Sequence, residues 1–257
     1  MNIIAIANQK GGCAKTTTVV NLAHGFAELG IKTLVIDLDP QANATQWLGV
    51  SSKNFGSFEM LVDGGNIDEV ILPSRVNEIS LIAASKKLTQ VEKALVGQIA
   101  IESILKRRIE KSALLKTWDV VLLDTPPTLG LLTLNALVAA NELLVPVTAH
   151  VMSLMGVTQL INTLNDVRDL LNPELKILGY LASRVDLRTK HSKDVMQLLK
   201  EKFGDKVFKT FIRENISLAE APSFSLGIME YRSSSAASED YRALAKEVSN
   251  LLKLKAK

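Results

Sequence analysis

Two lysines, two adjacent glycines and three threonines lie within nine residues near the amino terminus. The stretch from Lys10 to Thr18 reads KGGCAKTTT. Consecutive backbone N–H groups in a glycine-containing turn at the start of a helix bind anions, because glycine lets the backbone approach a phosphate closely. A lysine ammonium and a threonine hydroxyl beside such a turn suit a phosphate chain and its metal ion. These residue types at this spacing indicate a phosphate-binding loop.

Three aspartates end two other apolar stretches of the chain. Asp37 and Asp39 close KTLVIDLDP (32–40), and Asp124 ends the apolar part of WDVVLLDTPP (118–127). Mg²⁺ keeps several of its waters and needs only one or two carboxylates besides phosphate oxygens. We therefore expect these aspartates to hold a metal ion, provided that they meet the loop in space.

Alternating strands and helices would bring them together. The apolar residues 3–7, the loop and the helical stretch VVNLAHGFAELG follow the strand–loop–helix order of a P-loop. The alternation continues along the chain, which predicts an α/β fold with one doubly wound, mostly parallel sheet and helices on both faces. Ligands of such sheets bind at the carboxyl ends of the strands. We expect a single domain over residues 1–257.

Hydrophobic periodicity predicts the remaining elements. Two of these predictions matter below, a long helix over 90–116 and a last strand over 206–212. Further strands are expected at 79–85, 143–150 and 176–186, and further helices at 129–140, 154–171, 190–203 and 236–254.

Composition limits the class of protein and its partners. The 257 residues are 47% hydrophobic, with no apolar run near the ~18 residues of a transmembrane helix. Cys13 is the only cysteine, which excludes an intramolecular disulfide framework, and a cytoplasmic location is expected. Net charge is +3, but residues 184–257 hold 15 Lys/Arg against 10 Asp/Glu. This basic third is compatible with a polyanionic partner and also with an ordinary solvated surface.

The whole set of motifs resembles the deviant Walker A ATPases of the ParA/MinD family. The KGGxxKTT loop, DLDPQ and DTPP occur in the family's order, and LAEAPSFSLGI (218–228) resembles the ParA segment after the last strand. The resemblance covers essentially the whole chain. It implies a P-loop NTPase fold, ATP and Mg²⁺ as ligands, ATP hydrolysis and an ATP-dependent sandwich homodimer.

The resemblance also implies a role for individual residues. Lys15 would bind phosphates in its own subunit, Lys10 would reach the partner's nucleotide, and Asp39 would orient the attacking water; these three form the expected catalytic set. The expected metal-binding residues are Thr16, Asp37 and Asp124. The expected nucleotide-binding residues are Lys10, Gly11, Gly12, Cys13, Ala14, Lys15, Thr16, Thr17 and Arg213.

Three of these positions depart from the family pattern. Cys13 and Ala14 stand where valine and glycine are usual, and Arg213 replaces a proline near the expected adenine edge. Ala14 is expected to adopt the helical conformation at the start of the helix, so that nucleotide binding survives. Cys13 beside a helix N-terminus could have a lowered pKa, but a small buried apolar role is the expectation.

Family resemblance further implies a function on the nucleoid. The ATP-bound dimer would bind non-specific DNA through Arg188, Lys190, Lys193 and Arg232. A ParB-like or McdB-like adaptor would stimulate hydrolysis, and the cargo would be a plasmid, a chromosome region or a carboxysome-like organelle, as in the McdA branch.

Other functions fit parts of the sequence. A MinD-like protein attaches to membranes through a short basic amphipathic helix, and SNLLKLKAK (249–257) has that composition, although its apolar face is too short to favour membrane attachment. A reductase of the nitrogenase iron protein type shares the loop but needs cluster cysteines outside it. A small-molecule ligase or kinase needs a second substrate pocket, which the sequence does not indicate.

Overall fold

The computed structural model describes residues 1–50, 55–113, 115–149 and 153–254. Their strands are β1 Asn2–Ile6, β2 Thr33–Asp37, β3 Ile71–Pro73, β4 Ile79–Ile82, β5 Val120–Asp124, β6 Glu142–Thr148 and β7 Lys176–Ser183. Their α-helices are α1 Lys15–Glu28, α2 Asn43–Trp47, α3 Ser57–Val62, α4 Val91–Ala94, α5 Ile104–Lys111, α6 Leu131–Ala139, α7 Ser153–Leu170, α8 Lys190–Phe203, α9 Ser217–Glu220, α10 Ile228–Tyr231 and α11 Ala236–Leu252.

One seven-stranded sheet runs through the described chain in the order β3-β4-β2-β5-β1-β6-β7. Only β3 is antiparallel to its neighbour, β4, and the other pairs are parallel. The predicted α/β class with a mostly parallel sheet is confirmed. Because the strands run the same way, the residues that follow β1, β2 and β5 meet at one edge of the sheet, called here the carboxyl edge.

Apolar residues on the two faces of the sheet form two separate core clusters. Ile3 and Ala5 of β1 belong to one cluster, with residues of α5, α6, α7 and α8. Ile4 and Ile6 belong to the other, with residues of α1 and α11. Successive strand side chains point to opposite faces, so a strand that is apolar at every position packs helices on both sides. This double burial fixes the strand ends that carry the aspartates.

The predicted helix over 90–116 is wrong. The chain forms α4, then an irregular segment, then a short 3-10 turn over Ile101–Ser103 that leads into α5. Gly97 and Ala100 have φ angles of 82° and 54°. A left-handed backbone cannot continue a right-handed helix, and apolar periodicity alone did not reveal this break.

The predicted strand over 206–212 is also wrong, because this part of the chain pairs with β7 and the residue Val185 beyond it only at isolated points. Tyr180 bridges Val207, and Val185 bridges Arg213. Between these bridges the backbone N–H groups of Lys209 and Thr210 donate to the carboxylate of Glu247 in α11, at 2.8 and 2.9 Å. A side-chain acceptor replaces the strand partner there. Within the described residues, no helix combines the length and the apolarity needed to cross a membrane.

Candidate functional site

A cavity of about 470 Å³ opens at the carboxyl edge, against the loop between β1 and α1. Gly11 and Gly12 line it, and no atom lies within 4 Å of the place where a Cβ of either residue would stand. Gly12 has a φ of 71°, which glycine adopts at little cost. Lys15 and Thr16 open α1 and also line the cavity. The loop therefore leaves room for a ligand directly against its backbone.

Ala14, the residue before α1, has a left-handed backbone with φ 66° and ψ 31°. The expectation of a helical conformation at this position is wrong. The left-handed conformation costs a residue with a Cβ about 1–2 kcal/mol. The loop keeps the backbone path that glycine favours although alanine occupies the position, so the structure holds strain beside the cavity.

Cys13 is a buried side chain, as the sequence led us to expect. Its Sγ lies 4.0 Å from the Nζ of Lys15. Burial raises the pKa of the thiol, and the nearby ammonium of Lys15 offsets this only in part. The alternative of a lowered pKa is therefore wrong, and the thiol stays protonated at neutral pH.

Asp37 and Asp124 are neighbours in the sheet. They are register partners in the parallel pairing of β2 with β5, and Ile6 of β1 is paired with Asp124 from the other side. Both aspartates are fully buried. The strands therefore bring two carboxylates together directly behind the loop that follows Ile6.

Asp37 is fully engaged by its own loop. One oxygen accepts a hydrogen bond from the backbone N–H of Asp39 at 3.0 Å, and the other accepts from the N–H and the hydroxyl of Thr45 at 2.9 and 2.7 Å. Burial raises the pKa of Asp37 to about 6, although these hydrogen bonds act against the rise. This carboxylate holds the connection from β2 to α2 in place.

Asp124 differs from Asp37 in its hydrogen bonding. Among the residues that the structure describes, none donates a hydrogen bond of normal geometry to either of its oxygens. Burial, together with the charge of Asp37, raises its pKa well above the usual range, while the nearby Thr16 hydroxyl favours the ionised form. A buried carboxylate without donors needs a counter-charge, so Asp124 with the Thr16 hydroxyl fits a divalent cation.

Asp39 stands between the acid pair and the cavity. It is 7% exposed and lines the cavity. Its Oδ1 accepts a hydrogen bond from the N–H of Gln41 at 2.9 Å, which fixes the loop that leads to α2. The order of the motifs along the chain predicts that Asp37, Asp39 and Asp124 converge on the loop, and the structure brings them together.

The opposite wall of the cavity includes Arg213, but its guanidinium contacts residues of α11. Nε and Nη2 contact Asp240 at 3.0 and 2.7 Å, and Nη2 also donates to the carbonyl of Ala236 at 3.0 Å. The backbone N–H of Arg213 donates to the same carboxylate at 2.9 Å. Arg213 therefore holds this wall against α11, while Asn215, Leu218 and Ala219 continue the wall.

Several residues that support the site were missed. Asn8 donates to the carbonyl of Pro146 at 2.7 Å and accepts from the N–H of Lys10 at 3.2 Å, so it fixes the entry to the loop. Trp47 in α2 donates from Nε1 to the carbonyl of Leu226 at 2.7 Å, which joins the Asp39 loop to the segment after α9. Partners as distant in sequence as Trp47 and Leu226 leave no local pattern to detect.

The basic residues predicted to contact DNA do not all lie together. Arg188, Lys190 and Lys193 cluster at the amino end of α8, and all three are exposed. Arg188 forms a two-point ion pair with Asp186, at 2.9 Å for both contacts. Arg232 lies after α10 and donates to the hydroxyl of Ser217 in α9 at 3.3 Å.

The chain resembles known proteins in both sequence and structure. A family model described as an AAA domain matches residues 1–177. The chain is 42% identical over 245 residues to the chromosome-partitioning ATPase Soj of Thermus thermophilus, covering 95% of this chain and 94% of that protein. It is 41% identical over 248 residues to the sporulation initiation inhibitor protein Soj of Bacillus subtilis, covering 96% and 97%.

Solved structures give the same picture of the fold. A Mycobacterium smegmatis structure described as cobyrinic acid a,c-diamide synthase with bound ATP analog and magnesium is 33% identical, with a TM-score of 0.84 over 96% of this chain and 93% of that chain. McdA of Cyanothece in its apo form has a TM-score of 0.87 at 22% identity, over 98% and 99% of the two chains, and this likeness concerns the fold alone.

Proposed function

The chain belongs to the ParA/MinD family of ATPases, and from this premise we propose that it couples an ATP-dependent dimer–monomer cycle to DNA binding and to the positioning of a cargo. ATP and Mg²⁺ are its ligands. The observation that carries the proposal is the meeting of the glycine-lined loop, the Asp37–Asp124 pair and Asp39 at one cavity. Phosphates, a metal ion and an attacking water require these three groups at adjacent positions.

Residues of this chain would divide the chemistry as follows. Backbone N–H groups of the loop and the ammonium of Lys15 bind the phosphates, with Thr16 and Asp124 holding Mg²⁺. The bound cation supplies positive charge against the phosphate oxygens. Asp39 orients the water, and Asp37 keeps the loop carrying Asp39 in register through the hydrogen bonds described above. Cys13, Ala14 and Thr17 complete the cradle, with Arg213 at the far wall.

Lys10 is proposed to act across a dimer interface. It lies at the carboxyl edge, on the loop whose entry Asn8 fixes. Lys10→Ala is expected to bind nucleotide but to dimerise poorly with ATP, as measured by sedimentation. A variant dimer as stable as that of the wild type would contradict the cross-interface role.

Binding of non-specific DNA is proposed for the cluster of Arg188, Lys190 and Lys193, with Arg232 as a further contact. A dimer that neutralises about 6 phosphates would show a log–log salt slope near −5. The ion pair between Arg188 and Asp186 adds a second test of this proposal. A phosphate must compete with the Asp186 carboxylate for the guanidinium. Both side chains lie in the connection between β7 and α8.

Two opposite changes test the DNA surface. Arg188→Glu should weaken ATP-dependent DNA binding for every sequence, and Asp186→Asn should strengthen it, as measured by filter binding over a salt series. Lys206→Glu is the matched control, because Lys206 follows the other end of α8 and belongs to the same basic third. Equal effects of Arg188→Glu and Lys206→Glu would indicate net charge alone and would contradict a localised DNA surface.

The hydrolysis-stimulating adaptor, ParB-like or McdB-like, and a nucleoid location belong to the same proposal. The supporting observation is the likeness over nearly the whole chain to the chromosome-partitioning ATPase Soj, at 42% identity, and to the chromosome partitioning protein ParA of Myxococcus xanthus, at 37% identity. Addition of the product of a neighbouring gene to the ATP- and DNA-bound protein should raise the rate of hydrolysis. The same addition to Asp39→Ala should leave the rate at background.

Membrane attachment through the C-terminal helix is the alternative function, and the described residues do not favour it. Leu251 is 55% exposed, but Leu252 and Leu254 pack against the core. Lys253 takes a left-handed backbone that ends α11. Residues 255–257 lie outside the described residues. An interfacial helix needs an apolar face free of the core, and a single exposed leucine does not supply it.

A ligase function is not supported by the second cavity. That cavity, about 280 Å³ in volume, is lined by Lys32, Trp118 and the segment between β3 and β4, and so it lies at the edge of the sheet opposite the loop. An acid to be activated by ATP must reach the terminal phosphate. The second cavity therefore does not provide the adjoining substrate site that an amide-forming synthase needs.

A further inference from the structure

The segment between α4 and α5, residues 95–100 and called here the 95–100 loop, presents apolar side chains to solvent. Ile99 is 90% exposed and Val96 is 79% exposed; among the described residues no large hydrophobic side chain is more exposed than Ile99. The loop sequence LVGQIA carries no charge. Side chains of this size contribute favourably when they are removed from water, so this loop is a candidate contact surface.

Two polar side chains, Glu92 and Asn135, make three hydrogen bonds that hold the 95–100 loop against α6. On its amino side, Glu92 Oε1 accepts from the N–H of Leu131 at 3.4 Å. On its carboxyl side, Asn135 accepts from the N–H of Leu105 at 3.0 Å and donates to the carbonyl of Ile101 at 2.9 Å. The loop is thus anchored at both ends, and the cost of ordering it on binding is small.

The anchoring helix α6 places the loop at the carboxyl edge. α6 begins at Leu131, shortly after Asp124 ends β5, and Pro127 in this connection lines the nucleotide cavity. Glu92 contacts the first residue of α6, so the apolar loop lies beside the same edge that carries Lys10. The proposed function has a second copy of this chain approach over that edge.

The charges around the loop agree with a protein partner. Lys93 and Glu92 precede it, and Glu102 and Lys106 follow it, so both signs surround an uncharged apolar centre. A fully buried centre without charge and with a polar rim is typical of protein–protein interfaces. In a twofold dimer, a loop that lies in the interface is presented by both copies, so its apolar contacts occur twice.

We infer that the 95–100 loop, through Val96 and Ile99, is a contact surface of the ATP-bound homodimer, with a second copy of this chain as its occupant. The inference rests on the proposed ATP-dependent dimer, and it adds an apolar contact to the contact that Lys10 is proposed to make across the interface. Because Glu92 and Asn135 connect this surface to α6, dimerisation would also fix the connection that follows Asp124.

The test is the stability of the dimer in a slowly hydrolysed ATP analogue with Mg²⁺, measured by sedimentation equilibrium. The double variant Val96→Ser with Ile99→Ser should raise the dimer dissociation constant at least about tenfold. Leu170→Ser is the matched control, because Leu170 is also 79% exposed but lies at the end of α7, at the opposite edge of the sheet. The affinity of the monomer for a fluorescent ATP analogue, measured at protein concentrations below the dimer dissociation constant, should stay unchanged in both variants, which shows that they fold.

The outcomes separate this inference from the proposed function. If the double variant forms a dimer as stable as that of the wild type, the inference is overturned but the proposed function is not. Absence of a wild-type dimer in the ATP analogue would overturn the proposed function and the inference with it. A third outcome is that the double variant dimerises like the wild type but fails to sediment with phosphatidylglycerol vesicles that bind the wild type. That result would overturn the inference, because the loop would then contact lipid.

Discussion

Asp37 and Asp124 are register partners on adjacent parallel strands, yet their hydrogen bonding differs completely. Asp37 accepts three hydrogen bonds from its own loop, whereas Asp124 accepts none of normal geometry from the described residues. Asp37 thus holds its own loop in place, whereas Asp124 keeps two buried oxygens that a cation could contact. We expect this difference within one pair to affect both the stability and the ligand binding of the protein.

Asp124→Asn should stabilise the ligand-free protein. The substitution removes a buried charge that has no donor, and we expect the free energy of unfolding at pH 8 to rise by about 1 kcal/mol or more. Thermal unfolding without nucleotide measures this change. With ATP and Mg²⁺ the wild type should become the more stable of the two proteins, because only the wild type gains stability from the bound metal. Destabilisation of the ligand-free variant would contradict the unpaired state of Asp124.

The stability advantage of Asp124→Asn should shrink as the pH falls. Folding raises the pKa of Asp37 to about 6 and that of Asp124 well above its usual range, so the native state binds protons more tightly than the unfolded chain. The free-energy cost of the two raised pKa values is therefore largest at high pH, and it is lost as the pH falls through the raised values toward the unfolded value of about 4. Urea unfolding from pH 8 to pH 5 tests this, and a constant gap would refute it.

Ala14→Gly should stabilise the protein by about 0.5–1 kcal/mol. Glycine removes the left-handed strain at φ 66°, and the greater freedom of the unfolded chain offsets part of the gain. Ala23→Gly in the middle of α1 is the control, and it should destabilise by about 1 kcal/mol because Ala23 has a right-handed helical backbone. Denaturant unfolding compares the two. Loss of stability in both variants would show that Ala14 is not strained.

Asp39→Ala should retain ATP binding but lose hydrolysis by about two orders of magnitude or more. Alanine also removes the hydrogen bond that Oδ1 accepts from Gln41, so Asp39→Asn is needed beside it, since an amide oxygen can keep this bond. Steady-state turnover with DNA measures both. Equal loss in the two variants assigns the effect to the charge, whereas normal turnover in Asp39→Asn would remove Asp39 from the reaction.

The sequence was sufficient for the parts of the site that depend on order along the chain. An apolar stretch that ends in an acid predicts a buried strand with a carboxylate at its end, and this held for Asp37 and Asp124. A parallel sheet places both at one edge, and the observed strand order makes them direct neighbours. Their unequal hydrogen bonding could not be predicted, because it depends on Thr45, which α2 brings back to Asp37 from eight positions further on.

Backbone conformation was the main source of error. Ala14 follows a path that is set by the loop and by the start of α1, and not by the preference of alanine itself. The break after α4 had a visible marker in Gly97, but apolar residues on both sides of it suggested one continuous helix. The contact of Arg213 with Asp240 spans 27 positions and reflects the docking of α11, which no local pattern encodes.

The hydrogen bond from Trp47 to the carbonyl of Leu226 has a practical consequence. The sequence contains two tryptophans, and Trp47 is buried in α2, next to the loop that carries Asp39. Trp118 lies at the opposite edge, beside the second cavity. The emission of Trp47 should therefore respond when the Asp39 loop moves, and Trp118 should supply a steady background. Intrinsic fluorescence should therefore report ligand binding at the cavity without an added label.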